Sequence, residues 1–393
     1  MDSRPDGRCL IADVSELRLL VVSHTPALWG AQMRLVEYLP LLKAAGVSPT
    51  LLTPAEGPFA DAFRERDCEV IIVDLGQRLG LRTEDDSRPG VRALISQLFE
   101  ILGAARHLRR IIRRYDLVQS HSRTAHLEVV LAAKLARRPS VIDVHDVVRP
   151  GIGQRILRLA GRLSSVVLAN SSSTAATLGP DRPNVRVVNP AVDLSRFTGS
   201  VQSDVDLRAK LGGRQDATLI GVVGRVDRDK RIELLIDALA ELDRTDVDLS
   251  VIGATHIAGE AYLDMLTTHA EQKLPGRVTF AGAHSDMPEV MAAIDVLASV
   301  CTVEAFGRSI LEAQASRTPV LAPDLLGVSD IVDDGSTGWL FEPEDVSDLA
   351  GALNRLLGSD EHARIIEAAN MQAQSLGIDH QGSTLIDAYR AVV

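Results

Sequence analysis

The sequence predicts an α/β protein built from two open, parallel-sheet domains of similar size that face each other across a cleft. Three observations lead there. Short apolar runs rich in β-branched residues alternate with helical stretches along almost the whole of the 393 residues. Those runs are continuously apolar rather than alternating, the pattern of parallel strands covered by helices on both faces. The alternation stops once, over residues 189–217, a polar stretch rich in Gly and Asp that reads as a domain boundary.

In the first half, strands are expected at 17–23, 49–53, 69–73, 117–120, 140–144, 166–169 and 185–188. Between them, 30–45, 91–114, 125–136 and 152–163 carry apolar residues at helical spacing. In the second half, strands are expected at 219–223, 249–252, 278–281, 296–298, 320–322 and 338–341. Their helical partners are 232–242, 262–273, 287–293, 309–316 and 349–357. Residues 77–90 read as a charged, mobile loop, and no internal repeat of fixed period is present. Open parallel sheets bind ligands beyond the carboxyl ends of their strands, so the loops that follow strands are where chemistry is expected.

Composition narrows the class. Hydrophobic residues make up 46% and charged residues 24%, a globular balance that excludes a disordered chain. No apolar run reaches the ~18 residues of a membrane span, and the acidic start lacks the form of a signal peptide. Cys9, Cys68 and Cys301 share no metal-ligand or redox spacing. The expectation is a soluble cytoplasmic protein. The net charge of −11 is uneven: residues 1–188 balance at +6 and residues 189–393 at −17. That asymmetry fits two bodies with different partners, and equally fits drift in surface composition.

Strand 219–223 runs into Gly224-Arg225-Val226-Asp227-Arg228-Asp229-Lys230, after which a helix begins. Glycine there lets a ligand approach the backbone. Free helix N–H groups with Arg225 and Lys230 would suit a diphosphate, although a turn with solvated charges has the same sequence. Neither the dinucleotide fingerprint nor the Walker loop is present. The first strand leads similarly through His24 to Gly30-Ala31-Gln32 and a helix. After strand 296–298, Glu304 falls on a loop and Glu312 about one turn into the next helix, with Phe306 and Gly307 between them. Two such carboxylates can accept hydrogen bonds from the vicinal hydroxyls of sugars. The bland alternative has Glu304 capping the helix and Glu312 on its solvent side. His121 ends a strand, as a cleft residue or a structural histidine. The Asp-x-Asp pairs at 204/206, 227/229 and 246/248 offer too few oxygens for a metal. Arginine-rich amphipathic stretches at 106–114 and 152–163 would suit an anionic membrane or a phosphorylated acceptor, or form solvated faces.

Taken in order, Gly224-Arg225-x4-Lys230, Glu304-x7-Glu312 and Pro319-Val320-Leu321-Ala322…Gly327-x2-Asp330 resemble glycosyltransferase family 4. The resemblance takes in Gly30-Ala31-Gln32, His145, Asn170-Ser171 and Asn189-Pro190-x-Val192-Asp193, and spans about residues 17–358. It departs from the family at Ala305, Leu326, Asp330 and Gln32. It implies the GT-B fold, two Rossmann-like domains facing across a cleft, and retaining transfer of a hexose-type sugar from a nucleoside-diphosphate sugar, UDP favoured. The implied domains are a tail at 1–16, an acceptor-binding domain at 17–195, a nucleotide-sugar-binding domain at 196–380, and a helix at 381–393 crossing back. By this resemblance Arg225 and Lys230 hold the diphosphate, approached by Gly30 and Gly224. Glu304 contacts the donor sugar, Glu312 the ribose, and the N–H groups about Phe306 and Gly307 face the donor. His145 stands near the reacting carbon. No metal, cofactor or nucleic acid is expected, the acceptor is open, and peripheral membrane contact through the basic first domain is an expectation. A nucleotide-sugar epimerase of the same fold and a non-catalytic partner subunit are the alternatives.

Overall fold

In the computed structural model, residues 16–74, 91–148, 150–180, 182–190, 192–197, 205–255 and 259–393 are described. The N-terminal tail, the charged loop at 77–90 and part of the 189–217 boundary lie outside them. By contact density the chain separates into two compact units. The first holds Met1–Ile142, Leu163–Ser165 and Tyr389–Val393, and the second Asp143–Arg162 and Val166–Ala388.

One sheet contains β1 (Leu17–Val22), β2 (Val47–Thr53), β3 (Glu69–Ile72), β4 (Leu117–Ser120), β5 (Ser140–Val144), β6 (Val166–Ala169) and β7 (Val185–Val187), in the order β3-β2-β1-β4-β5-β6-β7. The other contains β8 (Thr218–Val223), β9 (Val247–Ile252), β10 (Val278–Gly282), β11 (Val296–Ala298), β12 (Val320–Pro323) and β13 (Trp339–Phe341), in the order β10-β9-β8-β11-β12-β13. The described pairings are parallel, for example Leu17 with Val47 and Val296 with Ile220. Each order reverses once, at β1/β4 and at β8/β11.

The all-apolar strands follow from burial on both faces. In the second unit one core layer joins Ile220, Val222, Val251 and Leu321 to the helices Ile232–Glu241, Glu260–Lys273 and Val346–Gly358. A second layer joins Leu219, Ile252, Leu297 and Val320 to the helices Met287–Ala293 and Arg308–Ala315. In the first unit, Leu20, Val22, Leu52 and Val118 pack with Leu108, Ile112 and Val129. Four helices went unread in the sequence: Pro58–Arg64, Ser172–Thr177, Val205–Lys210 and His362–Ser375, while the C-terminal helix expected from 381 spans Ile378–Arg390. Most are six or seven residues long. The longer His362–Ser375 buries only Ile365, Ala369, Asn370 and Ala373, too sparse an apolar stripe to register.

Candidate active site

The loops after β8 and β11 leave the second sheet on either side of its reversal, where open α/β sheets bind ligands. Gly224 sits at φ +146°, and the stem of Lys230 folds back over it, with Cε 3.6 Å from where a Cβ would stand. Gly253, after β9, presses on the same turn, since a Cβ there would lie 1.7 Å from Gly224 O. Only two glycines allow that approach. Thr302 N donates to Asp229 O at 3.4 Å, tying the β11 loop to the β8 loop.

Across this junction Lys230 Nζ lies 3.3 Å from Glu304 Oε2. Burial by itself would lower the ammonium's pKa, but Glu304 and its surroundings lift it above the usual 10.5. Burial would likewise raise the Glu304 carboxyl, yet the Lys230 charge and the Phe306 and Ala305 N–H groups hold it below 4.5. The pair is therefore ionised at neutral pH. Glu304 Oε1 accepts from Ala305 N at 3.1 Å and Phe306 N at 3.4 Å. The Phe306 N–H, expected to face a donor, thus holds Glu304 in this structure, and the Phe306 ring is a core residue at 2% exposure.

Glu304 does not cap the next helix. That position belongs to Gly307, at φ +91°, before Arg308–Ala315. Glu312 is not on the solvent side either: it is buried and accepts from Arg308 Nε at 2.8 Å, one helical turn away. Gly327 packs against this loop so closely that a Cβ would meet Glu304 O at 2.3 Å.

The loop after β8 is held by two further sets of contacts. Arg225 is half exposed and pairs with Asp227 at 3.0 Å. Asp227 Oδ1 is buried without a hydrogen-bond partner. A 3-10 turn, Arg228–Lys230, precedes the helix Ile232–Glu241. Ile232 N then donates to the Tyr262 hydroxyl at 3.0 Å. That hydroxyl donates to Glu233 at 2.5 Å, and burial with the Glu233 carboxylate raises its pKa strongly. Tyr262→Phe is expected to cost about 1–2 kcal/mol in thermal or denaturant unfolding, since it leaves a buried N–H unmade.

His145 follows β5 in the second unit, 3.4 Å from buried Asp143, and its carbonyl accepts from Asn170 Nδ2 at 3.1 Å. Asn189 Nδ2 in turn donates to Asn170 O at 3.2 Å, and the Asn189 N–H donates to Gln381 Oε1 at 3.0 Å. These asparagines hold the backbone beside His145. Asp330 accepts from Ser172 N at 2.7 Å. In the first unit, Gly30 opens the helix Gly30–Ala44 with no heavy atom within 4 Å of where a Cβ would stand. His121 is buried and bonded to Ala31 O at 3.0 Å. A cavity of about 420 Å³ lined by Glu16, Arg18, Thr50 and Tyr115 includes none of the motif residues. The sequence alone assigns no role to Gly253, Tyr262 or Cys301, none of which stands in a recognised motif.

Two parallel sheets, each reversing once, match the pair of Rossmann-like domains expected of a GT-B glycosyltransferase. Residues 29–196 match Glycosyltransferase Family 4 and residues 204–372 match Glycosyl transferases group 1. A D-inositol 3-phosphate glycosyltransferase of Nocardia farcinica is 31% identical, over 91% of this chain and 79% of its own. One from Mycobacterium sp. (strain JLS) is also 31% identical, over 70% and 62%. The chain belongs to glycosyltransferase family 4. Among solved structures, HepE of Anabaena in complex with UDP superposes with a TM-score of 0.81 at 23% identity, covering 95% of this chain and all of that one. Sucrose-phosphate synthase of Thermosynechococcus elongatus gives 0.75 at 20%, covering 95% and 98%.

Proposed function

We propose that this glycosyltransferase moves a hexose-type sugar, with retention, from a UDP-sugar to a hydroxyl of a polyol phosphate such as D-inositol 3-phosphate. The observation that carries it is the Lys230–Glu304 pair, 3.3 Å apart where the β8 and β11 loops meet. Solved relatives by fold in complex with UDP and with UDP-glucose support the donor, and the relatives' names support the acceptor.

In this reading residues 196–380 hold the donor and residues 17–195 the acceptor, with 381–393 returning to the first domain. The leaving diphosphate draws Arg225 away from Asp227, and Lys230 meets its growing charge. Preorganised cations stabilise a transition state in which that charge is larger than in the bound donor. No metal or resident cofactor takes part. Glu304 accepts from the sugar hydroxyls and Glu312 from the ribose, while Gly30 and Gly224 leave room for phosphate oxygens. The Gly307 N–H faces the donor, and the Phe306 N–H joins it once Glu304 turns to the sugar. No recognised carboxylate is placed as a covalent nucleophile, so the acceptor attacks on the face the diphosphate leaves, with His145 beside it. Thermal shift with UDP-glucose, UDP-N-acetylglucosamine and GDP-mannose tests the donor, since bound ligand raises apparent stability. Stabilisation by the UDP-sugars, followed by transfer of an α-linked sugar from an α-linked donor to D-inositol 3-phosphate, is the expected result. An unchanged melting temperature with every nucleotide sugar would overturn it.

Glu312→Gln is expected to raise the donor KM about tenfold with kcat nearly unchanged, because a ribose contact serves ground and transition states alike. A fall confined to kcat would remove Glu312 from the ribose.

The protein acts in the cytoplasm or at its membrane face. None of the described helices is long and apolar enough to cross a membrane. The amphipathic helix Ile152–Leu163 exposes Ile152 and Leu159 beside exposed Arg155 and Arg162, a face suited to an anionic bilayer. Sedimentation with phosphatidylglycerol vesicles is expected, falling in Leu159→Ser and absent with phosphatidylcholine. Equal binding to both lipids would contradict it.

A further inference from the structure

Cys301 ends the buried stretch after β11, at 1% exposure, and lies outside every motif recognised in the sequence. Its Sγ is 3.7 Å from Glu304 Oε2, the oxygen that also meets Lys230, and 3.4 Å from the Ser299 hydroxyl. The Glu304 carboxylate is thus gripped on both oxygens: two backbone N–H groups hold Oε1, and Lys230 with Cys301 holds Oε2.

We propose that Cys301 is a positioning residue for sugar transfer, its thiol donating to Glu304 and keeping that carboxylate aimed beside Lys230. The inference rests on the reading of Glu304 as the donor-sugar contact. Its chemistry is that of a neutral donor. Burial, with the Glu304 charge nearby, pushes the thiol up to about 11, so it stays protonated at neutral pH. A thiolate there would compete with Glu304 for Lys230, whereas the thiol adds a hydrogen bond to the carboxylate without adding charge. A thiol is a weak donor, but one aimed at a buried carboxylate is favoured by the charge it meets. Fixing a carboxylate that changes its contacts as the sugar flattens matters more for turnover than for nucleotide binding.

The test is kcat and donor KM for the full chain with Cys301→Ala, Cys301→Val and Cys301→Ser, with UDP affinity measured separately by calorimetry. Loss of one donor to a charged partner is expected to lower kcat about three- to tenfold in the alanine variant, with UDP affinity within about twofold of wild type. Valine keeps the volume without the donor and should match alanine. Serine restores a donor and should stay within about twofold of wild type. Thermal melting checks that each variant is folded, and the valine variant stands in if the void left by alanine unfolds the loop. Wild-type kcat in both apolar variants, or a serine variant as slow as alanine, would overturn the assignment. Glu304→Gln separates the two levels: if it leaves kcat unchanged, the reading of the site fails. If it slows transfer while Cys301→Ala does not, only the role of Cys301 fails.

Discussion

Lys230→Ala is expected to reduce sugar transfer about 10²–10³-fold, the scale for losing one preorganised charge at a developing anion. Its ammonium is the cation nearest Glu304, so the variant also leaves a part-buried carboxylate without its counter-charge. The pH dependence follows from the two shifts. Glu304 has its pKa lowered below 4.5 in the folded chain, so its contribution is present above that value and lost as pH falls through the lower one. Lys230 is raised above 10.5, so its contribution is present below that value and lost only at higher pH. The pair therefore spans the range from below 4.5 to above 10.5 intact, and no limb of the rate profile between about pH 5 and 10 should belong to it. Steady-state kinetics on the folded variant decide the first point. More than a third of wild-type turnover would take Lys230 out of the reaction.

Gly327→Ala should be nearly as damaging, by a different route. A Cβ at 327 would lie 2.3 Å from Glu304 O and 2.8 Å from Ala305 O, both backbone atoms that no rotamer change can move aside. The loop carrying Glu304 must shift by about an ångström, a displacement that can cost about 100-fold in rate, and overpacking adds about 1–3 kcal/mol of instability. Circular dichroism melting and a transfer assay on the same preparation separate the two effects. A variant with wild-type melting and wild-type turnover would show that the loop tolerates displacement.

Most strands were legible because burial on both faces makes them uninterrupted apolar runs, and β4, β5, β6 and β11 begin and end where the sequence places them. β2 starts two residues early, at Val47, because Pro49 reads as a strand's outer limit while β3 pairs only from Thr50 onward. The site was legible in so far as it lies in short local patterns: a glycine after a strand, a lysine six residues on, two glutamates eight apart. Its grip on those groups was not. Lys230 meets Glu304 across 74 positions of sequence, Gly253 meets Gly224 across a neighbouring strand, and the Tyr262 hydroxyl reaches back to Ile232. Those pairings depend on strand order, which no single segment encodes. The start of the helix after the β8 loop was illegible for the same reason, since a tyrosine thirty positions away takes the Ile232 N–H.

The last five residues, Tyr389–Val393, cluster with the first unit. The Tyr389 hydroxyl donates to Gln119 on β4, and Arg390 reaches the Ala45 carbonyl at 2.8 Å. During synthesis, strands β1 to β4 leave the ribosome hundreds of residues before the segment that completes their contacts. The first unit must wait, unfinished, while the second is made. A stalled or C-terminally clipped chain would therefore show its defect at the opposite end of the sequence, as a loosened amino-terminal unit, with the second unit's own core otherwise intact.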